Sequence, residues 1–352
     1  MDEMEHLAKG DVQQPGRKSI KGSRHLACAT IMIAAALGWS VVVGSLFLKH
    51  SQWADQPEGI ILIDADDTTD SVKVKSGLGW RMTLCSTLLS YHPRTGRYDT
   101  RSQNALMLFR RLRNGQQDPI RLTLPSVRTL DRLAQYLALH LMMSTQEVMA
   151  CMTDTALCHQ LGFSVQELPA LFVPNTYEIY WDVTPQAFMN RMKREHDHFW
   201  NDERIRKAQA CALTPAQVCT LASIVDEETA NGPEKPDVAA MYLNRLRLGM
   251  PLQADPTVKF AVGDFSLRRI YHEHLKVDSP YNTYLHQGLP PGPIRIASIE
   301  GIDAVLNHSE HPSLYMCAKE DFSGTHRFAV TYQEHLRNAR LYAQALNERG
   351  IR

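Results

Sequence analysis

The sequence predicts an α+β protein behind a single N-terminal membrane-spanning helix. Three observations predict it. Leu26 to Leu48 run 23 residues without a charge. A strand followed by two short helices recurs, once from Ile60 and once from Ile120. Past residue 180, capped helices lead into a strand hairpin and a last helix.

Residues 1–25 form a polar tail whose basic residues, Lys9, Arg17, Lys18, Lys21 and Arg24, gather ahead of the apolar run at 26–48. At 1.5 Å per residue that run spans the apolar core of a bilayer. It is longer than the apolar core of a cleaved signal peptide, and no small-x-small cleavage site is clear. The excess of Lys and Arg before the run places the N-terminus in the cytoplasm and everything from about residue 49 outside. Residues 49–58 read as a linker. Ile60 to Ile63 is a buried-strand candidate, followed by an amphipathic stretch ending near Ser90. Asn104 to Arg113 is a helix stopped by Asn114-Gly115. Ile120 to Leu124 alternates with period two and reads as a strand. Thr129 starts the next helix, and the capping box Ser144-Thr145-Gln146-Glu147 starts another.

Leu171 to Tyr177 is an apolar–aromatic run interrupted by a turn signal. Thr184-Pro185 opens a long helix carrying Phe188, Met189, Met192 and Phe199. Thr214-Pro215-Ala216-Gln217 combines a threonine cap, a proline at the first helical position and a glutamine three residues on. The helix after that reads Asp237 to Leu248, capped by Asp237 and ended by Gly249. Residues 261–279 read as a loop, and Gly288 to Pro293 as a rigid irregular turn. Leu314–Ala318 and Arg327–Val330 form a hairpin around Asp321 to Gly324. Thr331 to Glu334 caps the last helix.

Composition excludes little. Lys+Arg and Asp+Glu both count 38, so net charge argues neither for nucleic acid nor for a broadly acidic partner. The seven cysteines show neither C-x-x-C nor zinc-type spacing. With Cys28 in the apolar run, at most three disulfides remain. Cys211 and Cys219 fall in one predicted helix, too far apart to bridge, so buried thiols are expected. His272-Glu273-His274 puts its side chains on diverging directions, and H-E-x-x-H is absent, so no metal site is expected. G-x-S-x-G and the Walker and Rossmann glycine patterns are absent as well.

The chemistry concentrates at Asp226-Glu227-Glu228, the end of the helix that Thr214 opens. Val218, Leu221, Val225 and Glu228 follow one helical stripe. Glu227 points about 100° away, and Asp226 shares a third face with Ala222 and Cys219. Two readings of Glu228 stand. It marks a frayed, solvated helix end, or it is a buried carboxyl that stays protonated near neutral pH and serves as a general acid. Asp226 and Glu227 read as surface charges on the same geometry. Taken singly, Asn244 and Arg245 are surface residues and Asp255-Pro256-Thr257 is a turn. Between 223 and 293, however, acids, amides, aromatics and rigid loops are grouped as in sugar-binding sites.

At these residues the sequence resembles the endolytic murein transglycosylase family, also called YceG-like. The matching pieces are Phe172-x-Pro174-x-Thr176-Tyr177, Leu221-Ala222-Ser223-Ile224-Val225-x-x-Glu228-Thr229 and Asn244-Arg245-Leu246. Leu252-Gln253-x-Asp255-Pro256-Thr257-Val258, Tyr281-Asn282-Thr283-Tyr284 and Gly288-Leu289-Pro290-Pro291-Gly292-x-Ile294 follow in family order. The resemblance implies a LysM-like region over 49–160 and a catalytic domain over 161–352. It implies cleavage of MurNAc–GlcNAc bonds inside peptidoglycan glycan strands, leaving 1,6-anhydro-MurNAc ends, without metal or organic cofactor. Glu228 is the family's catalytic glutamate. Asp226, Asn244, Gln253, Asp255, Tyr281 and Asn282 are the expected sugar-positioning residues. The resemblance further implies an inner-membrane enzyme whose catalytic domain is periplasmic and which meets cell-wall synthases. Three positions depart from the pattern: Asp226 for a common glutamate, Glu227 for a frequent lysine, and Asn175 for a frequent aspartate. A negative Glu227 close to Glu228 would help keep it protonated. The rival readings are a hydrolase leaving reducing ends and a non-catalytic peptidoglycan-binding scaffold.

Overall fold

The computed structural model describes residues 20–47, 59–101, 103–267 and 269–350, with side chains from residue 25 onward. Lys9, Arg17 and Lys18, the side chains of Lys21 and Arg24, and the linker at 49–58 lie outside the described residues. The chain divides into two compact units, Met1–Gln117 and Asp118–Arg352. The domain boundary expected at 160/161 falls inside the second unit.

The first unit opens with α1 (Ile20–Leu46), of which His25–Leu46 is long and apolar enough to cross a membrane. Then come β1 (Ile60–Ile63), α2 (Thr69–Lys75), α3 (Trp80–Leu88), β2 (Gly96–Asp99) and α4 (Ala105–Asn114). β2, which lacks a period-two apolar pattern, pairs antiparallel with β1, Ile60 opposite Asp99 and Ile63 opposite Gly96. The alternation puts Ile61 and Ile63 inward against Tyr98, Met82, Leu108 and Leu112. Asn104 caps α4 through Met107 N–H, and Gly115 ends it at φ 68°, a left-handed conformation that favours glycine.

The second unit begins with a similar piece. β3 (Ile120–Thr123), α5 (Leu130–His140), α6 (Thr145–Thr153) and α7 (Thr155–Leu161) lead through a 3-10 turn at Leu168–Leu171 to β4 (Thr176–Ile179). β4 returns antiparallel to β3, pairing Leu122 with Tyr177. Each expected βαα unit is therefore closed by a second strand: the first is βααβ, and the second carries a third helix, α7, before β4. Both closing strands are four residues long and find their partners far away in sequence, which hides them from local pattern.

Next come α8 (Pro185–Phe199), α9 (Asp202–Ala210), α10 (Pro215–Glu228), α11 (Lys235–Arg247), α12 (Asp255–Val262) and α13 (Ile299–Leu306). The hairpin β5 (Tyr315–Ala318) and β6 (His326–Ala329) and the final α14 (Tyr332–Glu348) complete the unit. Several expectations need correction here. α11 starts at Lys235, after a 3-10 turn at Gly232–Glu234, so Asp237 lies in its first turn and is not its cap. Asp255-Pro256-Thr257 opens a helix, with proline in the first turn where its missing N–H costs nothing. Cys211 caps the end of α9, whereas Cys219 lies in α10; both are buried free thiols.

α10 is the centre of this unit. Every residue from Val218 to Val225 is buried, so the helix is enclosed on all faces and not along one stripe. It packs on α11 and α13. Its acidic end is therefore the point where a buried helix emerges from the core.

Candidate active site

Local chemistry fixes both ends of α10. Thr214 N–H donates to Gln217 Oε1 at 2.9 Å, and Thr214 Oγ1 accepts from Gln217 N–H at 3.3 Å, the full capping box. At the other end Thr229 turns to extended backbone, its N–H still bonded to Val225 O at 3.2 Å. Glu228 is thus the last helical residue, half-buried at the floor of a cleft of about 230 Å³. Tyr242, Arg245, Gln253, Asp255 and Tyr284 line the cleft with it, and Cys317 and His326 close it from the hairpin side.

The three acids of α10 take three directions with three different fates. Asp226 is 3% exposed. Its carboxylate accepts from Lys235 Nζ at 2.8 Å, Ser298 Oγ at 2.8 Å and Ser298 N–H at 2.7 Å. It sits at the N-terminus of α13, where helix polarity favours an anion. A Cβ at Gly301 would come within 2.6 Å of it, so only glycine admits this approach. Glu227 accepts from Arg128 Nε and Nη2, both at 2.8 Å, and from Arg295 Nη1 at 2.9 Å. Neither is the surface charge expected of it. Glu227 is neutralised by two guanidinium groups and does not act on Glu228.

Glu228 behaves differently. Burial of the carboxyl pushes its pKa up to about 7; the Tyr242 hydroxyl, donating to Oε1 at 2.6 Å, pulls it back down. The negative Asp255 adds to the rise, and His326 and Lys259 oppose it. The carboxyl nonetheless keeps an opening to the cleft, which is what a proton donor needs. Burial and the adjacent Glu228 raise the Tyr242 hydroxyl well above the usual phenol range, so it remains a donor.

The wall opposite α10 is built around Thr283. Its carbonyl accepts from Gln253 N–H at 3.1 Å, and its hydroxyl accepts from Ala254 N–H at 3.0 Å and meets Thr257 Oγ1 at 2.8 Å. Gln253 is held at φ 50°, left-handed for a residue with a Cβ, at a cost of roughly 1–3 kcal/mol. That turn delivers Asp255 to the cleft, where its Oδ1 accepts from Tyr284 Oη at 2.6 Å. Arg245 stitches the site together, donating from Nε to Leu314 O at 2.6 Å and from Nη1 to Leu252 O at 2.8 Å.

Of the expected site residues, the fold brings Glu228, Gln253 and Asp255 together and places four others outside the cleft. Asp226 is engaged at α13. Asn244 uses its amide on His311 O and Ser313 O, at 2.7 and 3.1 Å. Asn282 donates to Leu275 O and Val277 O, and its Oδ1 accepts from Tyr284 N–H at 3.1 Å. Tyr281 packs its ring on Phe260, 4.7 Å between centroids. These four hold the walls; they do not form them. Sequence reasoning missed Tyr242 and His326, and it gave Arg245 and Tyr284, which its motifs contain, no role in the site. Tyr242 carried a usable signal, because a tyrosine among Val238, Ala239 and Leu243 on a buried face requires a partner for its hydroxyl. His326 is nearly a hundred residues from Glu228 and carried none.

A larger cleft of about 460 Å³ lies between Leu213, Leu246 and Leu289. Its only carboxylate, Glu167, accepts from Ser164 N–H and Oγ in a local turn. The carboxyl with the raised pKa lies in the smaller cleft. Among the described residues no group of three or more His, Cys, Asp or Glu could hold a metal ion.

The sequence model of the YceG-like family matches residues 71–341. An endolytic murein transglycosylase of Bacillus subtilis (strain 168) is 38% identical over 133 residues, 38% of this chain and 36% of that protein. One of Streptococcus pneumoniae serotype 2 (strain D39) is 29% identical over 175 residues, 49% of this chain and 31% of that protein. The matched part is therefore about a third of these relatives' length. The crystal structure of a yceG-like protein from Listeria monocytogenes superposes with a TM-score of 0.55 at 23% identity, over 79% of this chain and 97% of that one. At that identity the likeness is one of fold.

Proposed function

The chain belongs to the YceG-like family, and from that premise we propose that it is a membrane-anchored lytic transglycosylase that cuts peptidoglycan glycan strands internally. One observation carries the reading: a carboxyl with its pKa pushed up to about 7 sits at the floor of an open polar cleft, beside a tyrosine hydroxyl. Such a group can give a proton at neutral pH and take one back.

The MurNAc–GlcNAc bond lies over Glu228, which protonates the glycosidic oxygen as the bond to the anomeric carbon breaks. The neighbouring N-acetyl group supports the electron-poor carbon. Glu228, now a carboxylate steadied by Tyr242, takes the proton of the sugar's own 6-hydroxyl as that oxygen attacks. The product is a 1,6-anhydro-MurNAc end, and no water is consumed. Because nucleophile and electrophile share one ring, proximity supplies much of the acceleration. Gln253, Asp255 and Tyr284 position the sugar. Asp226, Asn244, Tyr281 and Asn282 act only through the walls they hold.

Helix α1 serves as a single-pass inner-membrane anchor with the N-terminus cytoplasmic and the site periplasmic, which places the site where new strands emerge beside their synthases. The two pieces closed by β2 and β4 are LysM-like and grip glycan.

Asp255 favours a second reading. Two carboxylates, one raised and one exposed, share the cleft, as in a glycosidase that activates water. Digestion of purified peptidoglycan by the full chain and by Glu228→Gln, read by mass spectrometry, separates the readings. Anhydro-muramyl ends from the wild type alone are expected. Ends heavier by one water would make it a hydrolase, and bound glycan with no cleavage by either protein would make it a scaffold.

A further inference from the structure

His326 opens β6 and lines the same cleft as Glu228. Its orientation is fixed from behind by Glu234, a carboxylate only 5% exposed. Glu234 Oε1 accepts from His326 N–H at 2.5 Å, and Oε2 accepts from Thr229 Oγ1 at 2.9 Å and lies 3.0 Å from His326 Nδ1. Thr229 directly follows Glu228, so one buried carboxylate ties the end of α10 to the ring across the cleft. Burial would raise the pKa of Glu234, but the hydrogen bonds from His326 and Thr229 outweigh it and hold the group ionised. An ionised carboxylate has no proton to give, so Nδ1 is the donor of this pair, and in the neutral ring Nε2 is the acceptor.

We infer that His326 is a second catalytic group of this site, accepting at Nε2 a hydrogen bond from the acetamido N–H of the sugar whose glycosidic bond breaks. The inference rests on the transglycosylase reading and names the partner of its substrate's N-acetyl group. Glu228 must hold a proton at the start, and Asp255 Oδ1 already takes the Tyr284 hydroxyl, whereas the ring of His326 is held in place from behind. As the bond breaks, the acetamido oxygen leans on the anomeric carbon and its nitrogen gains positive charge. The N–H becomes a better donor, so an acceptor fixed there binds the transition state more strongly than the ground state. No proton moves to His326. The Glu228 proton leaves with the departing 4-oxygen, the carbon–oxygen bond to O6 forms, and the 6-hydroxyl proton returns to Glu228. If Glu234 and His326 served only to fasten the hairpin, their loss would lower stability and leave the chemistry of the folded protein alone.

The test is steady-state kinetics of the full chain on purified soluble glycan strands, with Glu234→Gln, His326→Ala and His326→Gln. The Glu234→Gln amide donates to Nδ1, which moves the ring proton to Nε2 and turns the acceptor into a donor. Its kcat is expected to fall about a hundredfold with KM within about twofold, and His326→Ala to fall similarly. His326→Gln, which offers an amide oxygen near the position of Nε2, recovers several-fold. Wild-type kcat in Glu234→Gln and His326→Ala overturns the inference. A loss confined to KM also overturns it, because the contact then belongs to the ground state. If His326→Ala fails to fold, the nearly isosteric Glu234→Gln decides. Absence of anhydro ends from the wild type itself would sink the transglycosylase reading instead.

Discussion

Glu228 carries a cost that its own chemistry requires. In an unfolded chain its pKa is 4.5, and in the folded cleft it is pushed up to about 7. Below 4.5 both states are protonated and the residue is neutral to stability. Between 4.5 and 7 the folded state holds the extra proton, so stability falls as pH rises through that window. Above 7 the penalty is complete, on the order of 3 kcal/mol. Glu228→Gln should therefore abolish cleavage yet melt higher than the wild type at pH 8, with the two converging at pH 4. Equal melting temperatures at pH 8 would mean that the carboxyl is not desolvated. The same residue sets the pH profile: kcat/KM should fall on the alkaline side with an apparent pKa near 7. Tyr242 opposes the rise by donating to Oε1. Tyr242→Phe should move that alkaline limb to higher pH, and a shift to lower pH would refute the assigned sign.

At the scale of the element, α10 shows how adjacent acids are sorted by the surfaces around a helix. Asp226 is clamped by Lys235 and the N-terminus of α13, and Glu227 by Arg128 and Arg295. Asp226→Ala leaves Lys235, itself 8% exposed, with only the outlying Glu300 as partner. The expected loss is about 3 kcal/mol of stability in a denaturant titration, with KM of the folded variant within about twofold. A large rise in KM at unchanged stability would instead restore Asp226 to the substrate. What the sequence made legible was what is local. The capping boxes at Ser144, Thr214 and Thr331 form as the residues dictate, because cap and partner lie three positions apart. β2 and β4 were not legible, since Gly96–Asp99 and Thr176–Ile179 become strands only through distant partners. The resemblance makes Asn282 and Tyr281 sugar-positioning residues, and their motif does border the site. Which member of Tyr281-Asn282-Thr283-Tyr284 faces the cleft depends on Phe260 and the carbonyls at 275 and 277, which sequence spacing does not reveal.

Among the described residues the buried side chains form two hydrophobic cores. One joins residues from Ile61 to Leu112, the other residues from Leu122 to Leu306, and each lies within its own compact unit. The second core includes Leu122, Leu124, Leu133, Leu137 and Leu161 together with Leu221, Ile224 and Tyr242 of the site helices. A boundary at 160/161, drawn from resemblance, would cut through that core and strip β4 of its partner strand. Burial of a leucine contributes about 1.5–3 kcal/mol, so losing these side chains exceeds the net stability of an ordinary domain. A fragment of residues 118–352 should therefore melt cooperatively and keep the alkaline limb near 7 set by Glu228. A fragment of residues 161–352 should show no cooperative transition and expose Tyr177 and Phe172 to quenchers. A cooperative melt from 161–352 would mean that β3, α5 and α6 form a separable module and that the core is divided at 160/161, as the resemblance implies.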